Sequence, residues 1–184
     1  MKKIFLLTLF VFLLLAQNKT YAQEKFGNTL NLGVGLGYYG YAPGTIPAFN
    51  INYEIDVARN FTLAPFVTAF TYRNYYYWGD VNNPYRDYYY QRTVVPVGAK
   101  ATYYFDELFN AGDRWDFYAA GSVGFAIVTT TYEDGYGGER GAYKGFNPLY
   151  IDAHIGSELH LTKALGIYLD LSTGLSTFGL AVHL

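Results

Sequence analysis

Four residues in the C-terminal part of the chain are of the types that catalyse acyl transfer. Asp152 and His154 are two positions apart, and Asp170 and Ser172 repeat that spacing. A serine activated by a histidine, which an acid orients, can hydrolyse or transfer an acyl group. The spacing is not diagnostic, because a strand lining a polar interior supplies a polar residue at every second position. We therefore predict no catalytic residue and no enzymatic activity. The weaker alternative is a catalytic group formed by His154, Ser172, Asp152 and Asp170.

Lys100 and several acidic residues also alternate with apolar residues in segments that resemble strands. One interpretation is a gated polar channel. The interpretation we favour is a filled interior with paired charges, because eight strands enclose only enough space for side chains and buried charges must be paired. The predicted lumen polar network consists of Glu54, Asp56, Lys100, Asp152, His154, Glu158 and Asp170.

Transition metals bind to histidine and carboxylate side chains, and the chain has three such residues near one predicted end of the barrel, Glu158, His160 and His183. We expect hydrogen bonding inside the protein to account for them, and we predict no metal and no cofactor.

A tyrosine-rich segment surrounds a predicted turn at Asn82, Asn83 and Pro84. Tyrosine gives rigid, amphipathic contact area to recognition surfaces, so this segment could bind an extracellular protein or a glycan. The alternative, which we favour slightly, is a hairpin extending past a membrane, with tyrosines anchored at the headgroups. The predicted surface residues are Tyr75, Tyr76, Tyr77, Trp78, Tyr88 and Tyr89.

The elements that position these residues are predicted from a period of two. From Leu30 to Tyr38, apolar side chains alternate with asparagine or glycine, which places all of them on one face of a strand. Pro65 lacks a backbone donor, so we expect a bulge or defect there. The eight predicted strands are Asn28–Tyr39, Ala48–Val57, Phe61–Tyr72, Tyr90–Phe105, Trp115–Thr130, Leu149–Leu161, Leu165–Ser172 and Ser176–Leu184.

The strand lengths and the links between them favour a membrane barrel. Tilted strands of about 9–11 residues cross a bilayer. The predicted links after strands one, three and five are long, and most of the others are short, as in barrels with short periplasmic turns and long outer loops. A soluble lipocalin-like barrel, with the apolar faces inside, is the alternative.

Residues 1–22 have the features of a cleaved signal peptide. Lys2 and Lys3 precede the apolar stretch Ile4–Ala16, and Ala22 provides a small residue before the predicted cleavage site. The barrel is predicted to occupy residues 23–184. Without Lys2, Lys3 and Lys19 of this predicted leader, the chain has 10 basic and 15 acidic residues. The resulting net charge of −5 excludes a basic nucleic-acid surface. The absence of cysteine excludes a disulfide scaffold.

The patterned segments resemble the small outer-membrane β-barrel superfamily, with its OmpA-transmembrane and OmpX-like barrels. The segments that carry the resemblance are Leu30–Gly40, Val94–Phe105, Phe117–Ile127 and Phe178–Leu184. The chain departs from many such barrels by ending in Leu184 rather than an aromatic residue. The resemblance implies a bare barrel in contact with outer-membrane lipid and lipopolysaccharide.

We therefore predict an all-β protein, an eight-stranded antiparallel up-and-down transmembrane β-barrel in the outer membrane. Its predicted function is structural or surface-interactive, with at most a narrow pore. The alternatives are a lipid-modifying acyl hydrolase or transferase and a soluble ligand-binding barrel.

Overall fold

The computed structural model describes residues 28–37, 46–105, 114–138 and 148–184. In these ranges the chain forms a closed barrel in which every strand pairs with its neighbours in sequence, and β8 pairs with β1. The predicted leader, residues 1–22, lies outside the described residues. No described helix is long and apolar enough to span a membrane. The strands are β1 (Thr29–Gly37), β2 (Ile46–Ala58), β3 (Phe61–Trp78), β4 (Arg86–Tyr104), β5 (Trp115–Tyr132), β6 (Leu149–His160), β7 (Leu165–Ser172) and β8 (Leu175–His183).

All eight predicted strands are confirmed, and the main difference is that β3 and β4 are longer than predicted. Their pairing continues from Thr71 opposite Thr93 to Trp78 opposite Arg86. Aromatic residues favour this extension, because they pack well across a strand pair. The barrel is consequently uneven. Strands β3 to β5 have 18 or 19 residues, whereas β1, β7 and β8 have eight or nine.

The direction of the side chains agrees with the predicted faces. Large apolar side chains such as Phe49, Ile151 and Phe178 are more than half exposed on the outside of the barrel. Charged and amide side chains such as Glu54, Lys100 and Asp170 are buried inside. The soluble alternative, with apolar faces lining the interior, does not fit this arrangement.

Two prolines coincide with interruptions in the hydrogen-bonded ladders. Pairing of β2 with β3 stops after Asn52 opposite Phe66 and resumes at Ile55 opposite Leu63, on either side of Pro65. The register is unchanged across this gap, so the expected irregularity is a local defect, and the register shift in this ladder lies at Asp56/Ala58. Pro96 lies beside a similar gap between β3 and β4.

The interior has different contents along its length. The end from which the β3–β4 hairpin projects is here called the hairpin end. The opposite end, where β6 stops at His160 and β8 at His183, is called the far end. Towards the hairpin end the interior is largely apolar and aromatic, with Arg92 and Asp152 as buried charges, and the other buried charges lie in the middle and at the far end. The apolar cluster consists of Ile46, Ala48, Phe70, Tyr72, Tyr90, Val94, Ala126 and Leu175.

Candidate functional site

The middle of the barrel contains a connected set of charged and polar side chains. Lys100 Nζ on β4 donates to Asp170 Oδ2 on β7 at 2.5 Å. The other oxygen of Asp170 lies 2.7 Å from Nδ1 of His154, and Nε2 of His154 lies 2.8 Å from Oγ of Ser122. Tyr118 also donates to Asp170, at 3.1 Å. The central cluster, defined as Lys100, Tyr118, Ser122, His154 and Asp170, therefore links four strands through one carboxylate.

The serine that meets His154 is Ser122, and the predicted group with Ser172 is corrected. Ser172 lies opposite His154 in the β6–β7 ladder, but its hydroxyl donates to Asp152 at 2.8 Å instead. Ser122 is opposite Asp152 in the β5–β6 ladder and reaches His154 diagonally. Asp152 Oδ2 is 3.6 Å from Nε2 of His154, longer than a hydrogen bond.

Asp152 holds the tight link between β7 and β8. Its two oxygens accept hydrogen bonds from the hydroxyls of Ser172 and Thr173 and from the backbone N–H groups of Gly174 and Leu175, at 2.7–3.1 Å. A carboxylate that accepts several donors in this way fixes a turn. This buried cap explains how β7 and β8 are joined by so short a connection at the end where the β3–β4 hairpin projects.

The space beside the central cluster limits what it can do chemically. Lys100, Ser122, His154 and Asp170 line a cavity of about 20 Å³, which also touches Phe66 and Tyr150. A cavity of this size holds about one water molecule. The serine, histidine and acid have the hydrogen-bond order of a hydrolytic triad. However, Lys100 holds the same aspartate, and the cavity is too small for a substrate.

Glu54 is satisfied by neutral donors rather than by a lysine. Tyr104 and Thr62 donate to Oε2 at 2.6 and 2.7 Å, and Asn31 donates to Oε1 at 2.9 Å. Charge-assisted hydrogen bonds of this kind can hold a buried carboxylate without a cation. Asp56 lies half-buried at the register shift of β2.

Glu158 comes together with both remaining histidines at the far end. Nε2 of His183 is 2.8 Å from Oε1 of Glu158, and Nδ1 of His160 is 3.9 Å from the same oxygen. The two imidazole rings are stacked, with their centroids 4.9 Å apart. The opposite nitrogen of His160 lies 2.8 Å from Asp116 Oδ2. The far-end cluster is defined as Asp116, Glu158, His160 and His183.

The six predicted surface aromatics divide between two faces of the β3–β4 hairpin. Tyr75, Tyr77 and Tyr89 are on the outer face, with 62%, 72% and 37% of their surface exposed. Tyr88 is buried, and Tyr76 and Trp78 are half-buried. The prediction of one contact surface made of all six is therefore corrected, because strand alternation continues through the hairpin and sends every second ring inward.

The inward rings form an aromatic cap over the hairpin end of the barrel. Tyr136 stacks on Tyr132 with ring centroids 5.3 Å apart. Trp78 packs edge-on against Tyr136 at 5.3 Å and against Tyr88 at 5.6 Å. Tyr76 stacks on Tyr90 of the apolar cluster at 4.9 Å, which joins the cap to the barrel interior.

Two carboxylates, the half-buried Glu133 and the exposed Asp80, fix the hairpin. Glu133 accepts hydrogen bonds from the backbone N–H of Tyr89 and from Arg86, and these lower the pKa of its carboxyl. Asp80 accepts from the N–H groups of Asn82 and Asn83, which lowers its pKa and closes the tip of the hairpin. Arg86 also lies over the ring of Tyr88 at 4.1 Å.

Sequence reasoning missed several residues that hold the buried charges, and three of them are taken as examples. Ser122 and Asp116 are buried on the inner face of β5, and Arg92 is buried on the inner face of β4, where it donates to Tyr72 and Thr130. The signal was present in the period of two, because all three share the parity of the inward residues. Polarity at an inward position should have been enough to include them.

No protein-family model matches the chain, and no curated protein matches its sequence. Among solved structures, it is similar to Neisserial surface protein A, with 12% identity over 85% of this chain and 96% of that one, at a TM-score of 0.53. It is also similar to Ail of Yersinia pestis, crystallised with the heparin analogue sucrose octasulfate. The identity is 8% over 85% of this chain and 98% of that one, at a TM-score of 0.47. A de novo designed transmembrane β-barrel is 11% identical over 85% of this chain and 95% of that one, at a TM-score of 0.44. The resemblance to small eight-stranded outer-membrane barrels is confirmed at the level of the fold.

Proposed function

We propose that the protein is an integral outer-membrane barrel with a closed interior, which acts through the outer face of its β3–β4 hairpin. The observation that carries the proposal is the polarity of the wall. Leucine, isoleucine, valine and phenylalanine side chains are exposed outside, and hydrogen-bonded charges lie inside. An exposed apolar band around a barrel is stable in lipid and would aggregate in water.

The proposed location implies export and contact with membrane lipid. The leader predicted at residues 1–22 would be removed after Ala22, and the barrel would meet phospholipid and lipopolysaccharide through its apolar wall. The hairpin end would then face outward, because outer-membrane barrels carry their long extensions on that side.

The proposed contact surface is the outer face of the hairpin, defined as Arg73, Tyr75, Tyr77, Tyr85 and Tyr89. Tyr75 and Tyr89 lie opposite each other in the ladder, and the guanidinium of Arg73 lies 5.3 Å from the centre of the Tyr89 ring. The strand pair and the aromatic cap behind it hold these rings in place, so little conformational entropy would be lost on binding. The partner we propose is an extracellular protein or a glycan.

We propose neither an acyl hydrolase nor an open channel. The Ser122–His154–Asp170 arrangement adjoins a cavity of about one water molecule, and Lys100 competes for its aspartate. Side chains fill the interior from the central cluster to the aromatic cap. A conducting pore would require several of these hydrogen bonds to open together.

The membrane proposal is tested on the mature chain refolded in detergent and in phospholipid vesicles. We expect the unboiled barrel to migrate differently from the boiled chain in a gel, with β-rich circular dichroism lost only on boiling. We also expect conductance at the background level in planar bilayers. A chain that folds and stays soluble without detergent would overturn the membrane location, and regular conductance steps would overturn the closed interior.

The contact surface is tested by binding of the barrel, in lipid nanodiscs, to arrays of glycans and extracellular matrix proteins. The triple variant Tyr75→Ser/Tyr77→Ser/Tyr89→Ser should lose at least tenfold in affinity for any ligand of the wild type. Val81→Ser, at the fully exposed tip of the same hairpin, is the matched control and should bind normally. Equal binding by the triple variant, or no ligand for the wild type on either array, would contradict this role.

A further inference from the structure

We propose that the far-end cluster is a binding site for Zn²⁺, with Glu158, His160 and His183 as its ligands. Two imidazoles and one carboxylate are a donor set that suits Zn²⁺, whereas Mg²⁺ and Ca²⁺ prefer oxygen ligands alone. One ligand atom from each of the three residues lies within 4.8 Å of the other two. The site is independent of the proposed contact surface, which lies at the other end of the barrel.

The distances between the ligand atoms are close to those that a zinc ion requires. Metal–ligand bonds of about 2.0–2.2 Å in a tetrahedral arrangement separate two ligand atoms by about 3.4 Å. The distances from Oε1 of Glu158 to the histidine nitrogens, 2.8 Å to His183 and 3.9 Å to His160, lie on either side of this value. Small side-chain movements in opposite directions would therefore admit the ion.

The second nitrogen of each histidine is already held in the way that metal-binding histidines require. Nε2 of His160 lies 2.8 Å from Asp116 Oδ2, which leaves Nδ1 directed to the side of Glu158. Nδ1 of His183 lies 2.9 Å from Oγ1 of Thr29, a hydroxyl that can either donate or accept. Carboxylate and hydroxyl partners of this kind fix the ring orientation and increase the basicity of the ligand nitrogen.

Gly166 makes the position of Glu158 possible. It lies on β7 between His160 and the strand that carries His183. A Cβ atom built at Gly166 would overlap the carboxyl group of Glu158. The missing side chain thus lets Glu158 reach from β6 across β7 to His183 on β8.

Charge and access also suit a divalent cation. Asp116 and Glu158 are buried carboxylates, with 1% and 6% of their surface exposed, and together they carry two negative charges. One Zn²⁺ ion would balance both of them beside two neutral imidazoles. The side chains of His160 and His183 are 16% and 13% exposed, so each is partly accessible to an ion.

The test is calorimetric titration of Zn²⁺ into the refolded barrel, prepared without a histidine tag and freed of metal with a chelator. We expect one Zn²⁺ per chain, and visible ligand-field absorption when Co²⁺ replaces it. His183→Gln and Glu158→Gln, which keep side-chain size and hydrogen bonding, should each weaken binding at least tenfold. Gly166→Ala should weaken it as well, by displacing Glu158.

His154→Gln is the matched control, because His154 is the third histidine of the chain and lies in the central cluster. It should bind Zn²⁺ as the wild type does. Heat-modifiable migration verifies that each variant is folded. If the folded wild type binds no zinc, or if His183→Gln and Glu158→Gln bind as tightly as His154→Gln, the proposed site is wrong.

Discussion

The barrel interior and the β3–β4 hairpin above it are built by the same alternation of side chains but are held together by different interactions. In the middle of the interior, many inward residues are charged or polar, and carboxylates such as Asp170 and Glu54 accept hydrogen bonds from several donors. In the hairpin the inward residues are aromatic rings such as Trp78 and Tyr88, which stack on one another. The stability of the interior depends on hydrogen bonds to buried polar groups, and the stability of the hairpin depends on apolar contact between rings.

The difference predicts how far a disturbance spreads. The central cluster connects β4, β5, β6 and β7, so the loss of one member should lower the free energy of unfolding of the whole barrel without changing the structure of its two ends. The aromatic cap connects β3, β4 and the end of β5 above the level at which β7 and β8 stop. Damage there should remain local. Four substitutions or conditions test this contrast.

Removing the buried cation should have the largest effect. Lys100→Met leaves the buried carboxylate of Asp170 without its charged partner, and breaking such a pair costs about 3–5 kcal/mol. We expect that loss in the free energy of unfolding, measured with urea in phospholipid vesicles. The double variant Lys100→Met/Asp170→Asn should recover most of it, because no unpaired charge remains and the neutral amide still offers hydrogen-bond partners to Tyr118 and His154. A loss below about 1 kcal/mol in the single variant would contradict a charge-dependent interior.

Removing the cap of the β7–β8 link should have a smaller effect that still reaches the barrel. Asp152→Ala removes the acceptor of the Ser172 and Thr173 hydroxyls and leaves the N–H groups of Gly174 and Leu175 with Ser172 Oγ alone. An unsatisfied buried donor costs about 1–3 kcal/mol. We expect lower stability in the same unfolding assay and faster amide hydrogen exchange at both residues. Thr71→Ala, which removes an exposed hydroxyl pair on the outer wall, is the control. Unchanged exchange at Gly174 would show that the turn does not need Asp152.

Removing one ring of the aromatic cap should act on the hairpin alone. Trp78→Ala abolishes the packing against Tyr88 and Tyr136, and each aromatic pair contributes about 0.5–1.5 kcal/mol. We expect faster trypsin cleavage at Arg73 or Arg86, with an unchanged urea midpoint for the barrel. Tyr77→Ala, on the exposed face, should leave the cleavage rate as it is. A lower midpoint in Trp78→Ala would remove the distinction between the two regions.

Acidification should give the smallest effect, and it should also be confined to the hairpin. Hydrogen bonds from the Tyr89 N–H and from Arg86 lower the pKa of Glu133 below its usual 4.5. A carboxyl with a lowered pKa stabilises the folded form above pH 4.5, and this contribution disappears as the pH falls through the lowered value. Tyr89 amide exchange, corrected for its intrinsic pH dependence, should therefore show less protection at low pH. Glu133→Gln should abolish this loss of Tyr89 protection at low pH. If the variant lost protection as the wild type does, Glu133 would not be the group responsible.

The period of two was sufficient to predict the barrel, because it is a local property of the chain. It gave all eight strands and the inward direction of Lys100, His154 and Glu158. It could not give the partners of these residues, which depend on register and on reach across the interior. Thus Lys100 pairs with Asp170, three strands away, and His154 meets Ser122 diagonally rather than Ser172 directly. The two faces of the tyrosine-rich segment followed once the strands were known to continue to Trp78.

The ladder between β1 and β8 has a consequence for the order in which the protein folds. It pairs Thr29 with His183 and Gly37 with Leu175, residues from the two extremes of the described chain. Such distant contacts form slowly, and they cannot form before β8 has been synthesised. Until then β1 keeps an open edge that can pair with other chains. The hydrogen bond between Thr29 and His183 forms only when that edge has disappeared, and it is therefore a reporter of completed assembly.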